Sequence, residues 1–418
     1  MRQSSSHSKR ASLLMKALCI LGILLSLPEA DAASCTSLVA WERLYPLHSA
    51  PGRSGHAMAY DSFRGLTILF GGIDTNGVIL NDTWQFDVHG WKKLSPAHVP
   101  APRYRHTLSY DASRGTIILF GGRDASVSLG DTWEWNGTDW IAVNTSTAPP
   151  ARHWHGMAFD SARSVHVLFG GVSSQEYGDT WEYSANFQSW SLRSTSGPAA
   201  RRGIQLAFDA AHNQTLLFGA YTSVGATFQS HYLSDTWVWN GVNATWSLRL
   251  PTTVPQGRTL YSLAFDPNRS VVMMQNGEEG LDATHYATVM ESWEWDGSNW
   301  TSKYSFCCPR REGAMVYDLA NTRMIQYGGD GAYPDFTWSL EPAWLPSGTA
   351  AVDPTSSIRG IYHTVRAAVV GVPQCTRIII RDGDYNETAS ESSPLVITKP
   401  CQLDHYHLSG DPSTVRIH

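Results

Sequence analysis

Six arginines stand at matching points along the chain: Arg53, Arg103, Arg152, Arg201, Arg258 and, in the last case, Arg310 or Arg311. Guanidinium is planar, forked and permanently charged, so a ring of such groups suits a carboxylate, sulfate or phosphate. The competing reading is a framework role. Each arginine would then pair with an acid of a neighbouring repeat or stack on a tryptophan, because what recurs in every repeat tends to build the repeat. A second group, Glu278, Glu279, Asp282 and His285, follows Gln275-Asn276-Gly277. Carboxylates and an imidazole beside cationic groups suit acid–base work or the selection of a charged ligand. His56, His106 and His155 each follow one of the first three arginines. Equivalent atoms of adjacent repeats lie far apart unless they approach an axis, so plain hydrogen-bonded histidines are expected, with no metal and no cofactor.

What must position these groups is a repeat. HAMAYD (His56–Asp61), HTLSYD (His106–Asp111), HGMAFD (His155–Asp160), IQLAFD (Ile204–Asp209), YSLAFD (Tyr261–Asp266) and GAMVYD (Gly313–Asp318) align. Each alternates like a strand and ends at an Asp that can start a turn. A second apolar strand follows, ending in Phe-Gly-Gly or a variant, then a third opening at Asp82, Asp131, Asp179, Asp235, Glu291 or Phe336. Trp91, Trp140, Trp190, Trp246 and Trp300 open a fourth. Four antiparallel strands about every 50 residues make a propeller blade of an all-β fold. The glycine pairs allow close backbone approach, the tryptophans supply apolar area between blades, and the Asp of each Asp-Thr-Trp triplet suits loop amides.

The sixth repeat lacks an obvious fourth strand. Trp41 precedes Arg53 by 12 residues, as Trp91 precedes Arg103 and Trp140 precedes Arg152. The expectation is that Trp41–Pro46 completes the sixth blade, with Trp344 second in rank. In an up-and-down blade, the loop entering strand one shares a face with the loop joining strands two and three. The arginines are therefore expected to ring one mouth of the channel, beside the enlarged loops Tyr221–Ser234 and Glu278–Met290.

The Phe-Gly-Gly pairs, Asp-Thr-Trp triplets and trailing tryptophans resemble those of secreted bacterial kelch-repeat proteins, related to the central domain of galactose oxidase. The resemblance spans roughly Val39 to Trp344 and implies a six-bladed propeller. Some kelch domains bind acidic ligands through arginines near this mouth, and some bacterial members are sugar epimerases, which need positioned Arg, Glu and His. A copper radical oxidase would need a crosslinkable Cys–Tyr pair, a second Tyr and two His ligands; Cys307 and Cys308 fall between blades, so that activity ranks lower.

After Trp344 the repeat stops. IYHTVRAAVV (Ile361–Val370) suits a short amphipathic helix, and TRIIIRDGDYNE and PLVITKPCQL suit strands. This order resembles the first coil of a pectate-lyase-like right-handed parallel β-helix, with Gly383, Tyr385 and Glu387 matching an element that ends a strand there. Solenoids need several stacked coils, so no lyase chemistry carries over.

At the other end, Lys9, Arg10 and Lys16 precede the apolar run Ala17–Leu27, with Ala30-Asp31-Ala32 beyond it. That run is too short to span a bilayer and reads as a cleaved signal peptide. The expected organisation is 1–32 signal peptide, 33–344 propeller, 345–360 linker and 361–418 β-helix-like segment. In an oxidising compartment Cys375 and Cys401 can pair, and Cys307 and Cys308 can pair with each other or elsewhere. Cys35 is then left over; a lipid anchor there ranks below simple secretion, because Ala32-Ala33-Ser34 is a poor processing box. The formal charge of −6 speaks against nucleic acid or an anionic membrane as partner. The functional expectation is a monomeric, extracellular or periplasmic protein without a transmembrane segment. It would bind a glycan or protein ligand, acidic in character, at the arginine-lined mouth. A carbohydrate-active enzyme is the alternative.

Overall fold

Each repeat folds as an antiparallel meander, as its alternation and turn chemistry dictate. The computed structural model describes residues 41–44, 46, 48–223, 231–280, 285–289, 291–303, 310–331, 335–340, 349–352, 377–381 and 403–406. The second repeat pairs Thr107–Asp111, Thr116–Phe120, Thr132–Trp135 and Trp140–Val143 in chain order. The third does the same with Gly156–Asp160, Val165–Phe169, Thr180–Ser184 and Ser189–Ser194. In the first repeat Arg53–Ser54 also pairs on the long second strand Leu66–Asp74.

The last sheet draws on both ends of the repeat region. Ala314–Asp318, Arg323–Tyr327 and Thr337–Leu340 are joined by Glu42–Leu44, in the register Glu42↔Ser339 and Leu44↔Thr337. The expected partnership of the strand after Trp41 is thus present; Trp344 lies outside the described residues. Innermost strands pack side by side from repeat to repeat, and Ala314–Asp318 packs on Ala57–Asp61.

The core lies between sheets. Ile117, Leu119, Trp135 and Trp140 of the second repeat pack on Ala57, Ala59, Ile68 and Phe70 of the first. The fourth-strand tryptophans are stapled as well as buried. Trp140 Nε1 donates to Thr83 Oγ1 at 3.0 Å, Trp190 to Thr132 at 3.0 Å, Trp246 to Thr180 at 2.8 Å and Trp300 to Thr236 at 2.9 Å. In each case the acceptor is the threonine of the preceding repeat's triplet. Trp91 carries the pattern back to the sixth repeat, donating to Thr337 Oγ1 at 2.8 Å. The glycine pair has an equally specific job. At Gly71 (φ +62°) a Cβ would lie 2.6 Å from the Arg103 carbonyl, and the Gly72 N–H donates to that same carbonyl at 2.9 Å.

In the tail, Thr349–Val352, Arg377–Arg381 and Leu403–Tyr406 form a parallel three-stranded sheet. Thr349–Val352 falls within the span 345–360. The leader, the expected helix 361–370, the Gly383, Tyr385 and Glu387 element and the cysteines, Cys307, Cys308, Cys375 and Cys401 among them, lie outside the described residues. Among the described residues no helix is long and apolar enough to cross a membrane.

Candidate functional site

The arginine ring exists, but beneath the surface. Arg53, Arg103, Arg152, Arg201 and Arg258 are each at most 1% exposed. Arg103 Nε donates to the Ala101 carbonyl at 2.9 Å and Nη1 to the Gly121 carbonyl at 3.0 Å. Its guanidinium also grips Asp131 in a fork, at 2.7 and 2.8 Å. Arg53, Arg152 and Arg201 repeat this on Asp82, Asp179 and Asp235, and Arg258 bonds Glu291.

The acid comes from the same repeat, not from a neighbour, and opens its third strand. The triplet tryptophan donates to it too, as Trp133 Nε1 does to Asp131 at 2.7 Å. The triplet Asp thus serves a guanidinium and an indole instead of loop amides. Burial alone would raise the Asp82, Asp131 and Asp179 carboxyls, yet the arginine hydrogen bonds and charge hold them below the usual range. With their donors committed, these arginines tie strand one to strand three and do not face a ligand. Arg310 occupies the equivalent place in the sixth repeat, bonding the Gly328 carbonyl at 3.0 Å. Arg311 turns to the mouth.

The histidines are core residues. His106 meets Phe70 edge-on at 5.5 Å, and His155 meets Phe120 in the same way. Thr107 Oγ1 and His155 Nε2 are 2.9 Å apart. Burial, reinforced by the neighbouring arginine, lowers His56 to about 3 and holds His106 and His155 well below the ordinary imidazole value. Among the described residues, no three His, Cys, Asp or Glu side chains are grouped to hold a metal ion.

The mouth is built two residues after each ring arginine. There a closed circuit of backbone hydrogen bonds runs around the axis. Gly55 N–H donates to the Glu312 carbonyl at 2.9 Å, Arg105 to Gly55 at 2.6 Å, and Trp154 to Arg105 at 3.1 Å. Gly203 donates to Trp154 at 2.9 Å, Leu260 to Gly203 at 3.1 Å, and Glu312 to Leu260 at 3.0 Å. All six residues have left-handed backbone, with φ between 57° and 71°. That conformation costs a non-glycine residue roughly 1–2 kcal/mol, and such strain persists where the surroundings fix it, often at functional positions.

The side chains on this circuit are polarised. Arg105 Cζ lies 3.8 Å from the Trp154 ring centroid, and its Nη2 bonds Glu312 at 2.9 Å. Arg202 reaches the same indole at 5.7 Å and Tyr221 at 4.9 Å. Burial first, and then the charges of Arg105, Arg123 and Arg202, lower His153 to about 4. Repeats two and four thus bring three arginines to the mouth, of which Arg105 is paired with Glu312 and Arg202 with Glu176 of repeat three at 3.4 Å.

Repeats five and six add further acids. Arg311 bridges Glu278 and Asp330, the latter at 2.8 Å, and Tyr232 donates to Glu278 at 2.8 Å. Burial and then Glu278 push the Tyr232 phenol upward. Between the two halves lies a cleft of about 130 Å³ lined by Trp154, Arg202, Tyr221, Tyr232, Leu260 and Glu278. The axial spaces below hold only about 40 and 50 Å³, room for water but not for a sugar ring. Of the expected acidic group, Glu278 belongs to the cleft. Glu279 pairs in register with Arg258, its carboxyl raised by burial. His285 is exposed, and Asp282 lies outside the described residues.

Arg105, Trp154, Arg202 and Glu312 were not singled out by the sequence. For Arg105, Trp154 and Glu312 the signal was the position two after the repeated arginine, glycine in repeats one and four and bulky in the others, while Arg202 directly follows its ring arginine Arg201.

Sheets and site together define an all-β, kelch-repeat β-propeller. Residues 35–220 match the family model described as the KLHDC2/KLHL20/DRC7 Kelch-repeats domain. The solved structure titled "Structure of YjhT" aligns with a TM-score of 0.55 at 13% identity, over 70% of this chain and 95% of that one. No curated protein matches the chain in sequence. At that identity the structural likeness speaks for the fold alone.

Proposed function

We propose that the protein is an exported, monomeric six-bladed kelch propeller whose mouth binds an acidic carbohydrate or an acidic protein segment. Six blades are supported by the six-membered hydrogen-bond circuit and by the Glu42–Leu44 pairing at its seam. The leader Ala17–Leu27 supports export. The parallel pairing in the tail supports a β-helix coil there.

The observation that carries the ligand class is the convergence of Arg105, Arg123 and Arg202 around His153, next to the Trp154 indole. An indole face stacks on the apolar face of a sugar or side chain, while the guanidinium groups take its carboxylate or sulfate. Binding is favoured over an epimerase-like reaction because the cleft holds only about 130 Å³ and Glu278 already accepts from Tyr232 and Arg311. Copper oxidase chemistry ranks below both.

The test is an array of neutral and acidic glycans and acidic peptides, probed with the secreted protein and with an Arg105→Ala, Arg202→Ala double variant. Selective capture of acidic members, lost in the variant, is expected. Indifference to the double substitution would sink the proposal.

A further inference from the structure

Eight of the 13 asparagines have Ser or Thr two positions on with no intervening Pro, although 77 Ser and Thr among 418 residues would give about two by random placement. The fold sorts these triplets. Asn81, Asn144, Asn213, Asn243 and Asn268 are exposed. Asn213 and Asn268 sit in the turns joining strands one and two of repeats four and five, and Asn243 in the turn joining strands three and four of repeat four. Asn144 follows the outer strand Trp140–Val143, and Asn81 lies in Ile79–Asp87. By contrast, Asn136 and Asn299 are half-buried, their carbonyl oxygens committed to Thr138 and Asp139, and to Thr252. Asn386 lies outside the described residues.

We propose that Asn81, Asn144, Asn213, Asn243 and Asn268 carry N-linked glycans, a modification that rests on the export reading above. The side-chain amide nitrogen attacks C1 of the reducing-end sugar of a polyprenyl-diphosphate-linked oligosaccharide. A C1–N bond forms, the C1–O bond to the diphosphate breaks, and polyprenyl diphosphate leaves with the electron pair. One amide proton passes to a base of the transferring enzyme, and nothing is oxidised or reduced.

The folded chain also dictates when this happens. Thr83 and Thr215, the hydroxyl residues of two of the triplets, are at most 1% exposed, and Thr83 Oγ1 accepts the Trp140 indole. A transferase cannot read those hydroxyls in the closed sheet, so transfer precedes folding. The finished fold then leaves each asparagine side chain outward. None of the five belongs to the circuit or cleft of the mouth. Glycans would sheathe the rim and the opposite face of repeats four and five, and leave the recognition surface open.

The test expresses the full chain with its own leader in a eukaryotic secretory line. Protein from the medium is treated with peptide N-glycosidase in H2(18)O and read by mass spectrometry. Conversion of three or more of the five asparagines to 18O-labelled Asp is the expected result. Secreted protein converted at two or fewer overturns the glycan proposal and leaves export standing. If the native leader fails to deliver the chain, residues 33–418 behind a proven signal sequence give the same readout. Conversion there upholds the glycans while export by this leader falls; its lack at three or more sites overturns the glycan proposal.

Discussion

Arg105 and Trp154, from consecutive repeats, are joined twice. The Trp154 N–H donates to the Arg105 carbonyl at 3.1 Å, and the Arg105 guanidinium carbon sits 3.8 Å from the indole centroid. The backbone bond belongs to the frame and the stacking to the recognition surface, so the two roles can be separated by substitution.

Trp154→Gly is expected to do so. Glycine accepts φ +57° without the roughly 1–2 kcal/mol left-handed penalty, which offsets part of the lost apolar burial. Stability should change by about 1 kcal/mol or less, whereas affinity for the acidic ligand should fall at least about tenfold. Thermal unfolding and titration calorimetry on one preparation check both. A large loss of stability would mean that Trp154 is frame.

Arg103 should behave in the opposite way. Arg103→Ala leaves Asp131 facing a partly buried gap, and Arg103→Lys cannot reproduce the fork on Asp131 together with the Gly121 and Ala101 carbonyl bonds. Because Asp131 keeps contact with solvent, the main loss is the hydrogen bonding to buried carbonyls, and each is expected to lose about 2–3 kcal/mol in urea unfolding. The surviving folded fraction should bind ligand with unchanged affinity.

Acid should loosen the protein before its carboxylates titrate. His56, His106 and His155 stay neutral when folded, His56 down to about 3, but take up protons near pH 6.5 when unfolded. Below pH 6.5 the unfolded state therefore binds more protons, and stability present at neutral pH is lost as pH falls toward 3. The slope is up to about 1.4 kcal/mol per pH unit for each histidine. The arginine-bound carboxylates, held below their usual range, add nothing above about pH 5. Unfolding midpoints should thus drop between pH 7 and 5 in the parent and drop less in His106→Gln. Parallel curves would refute the assignment.

Two glycines offer a matched pair. Gly71→Ala meets both left-handed backbone and the Arg103 carbonyl at 2.6 Å, while Gly77→Ala (φ +81°) meets nothing within 4 Å. Gly77→Ala should cost about 1 kcal/mol, and Gly71→Ala clearly more, by chemical denaturation. Equal costs would remove the close-approach argument.

The frame was legible because its residues repeat. The Asp-Thr-Trp triplets, the glycine pairs and the 12-residue offset of Trp41 from Arg53 all led to the strands and to the closing partnership. The roles of the repeated polar residues were harder to read, since spacing does not tell an exposed arginine from a buried one. Arg103 is buried because Asp131, 28 residues on, is delivered across the sheet to meet it. Trp154 and Arg202 were missed for the opposite reason: their positions recur from repeat to repeat but their residue types vary, so no repeated letter marked them. Glu278 was found because its repeat departs from Phe-Gly-Gly, although its pairing with Tyr232 and Arg311 depends on loops whose course the sequence leaves open.

Because each carbonyl around the axis is answered by the next amide in the same rotational sense, the inner edge of the aperture is a hoop of peptide groups. The side chains at Gly55, Arg105, Trp154, Gly203, Leu260 and Glu312 are pendants on that fixed hoop. Selection can exchange them one at a time, altering what the aperture recognises while its calibre stays the same.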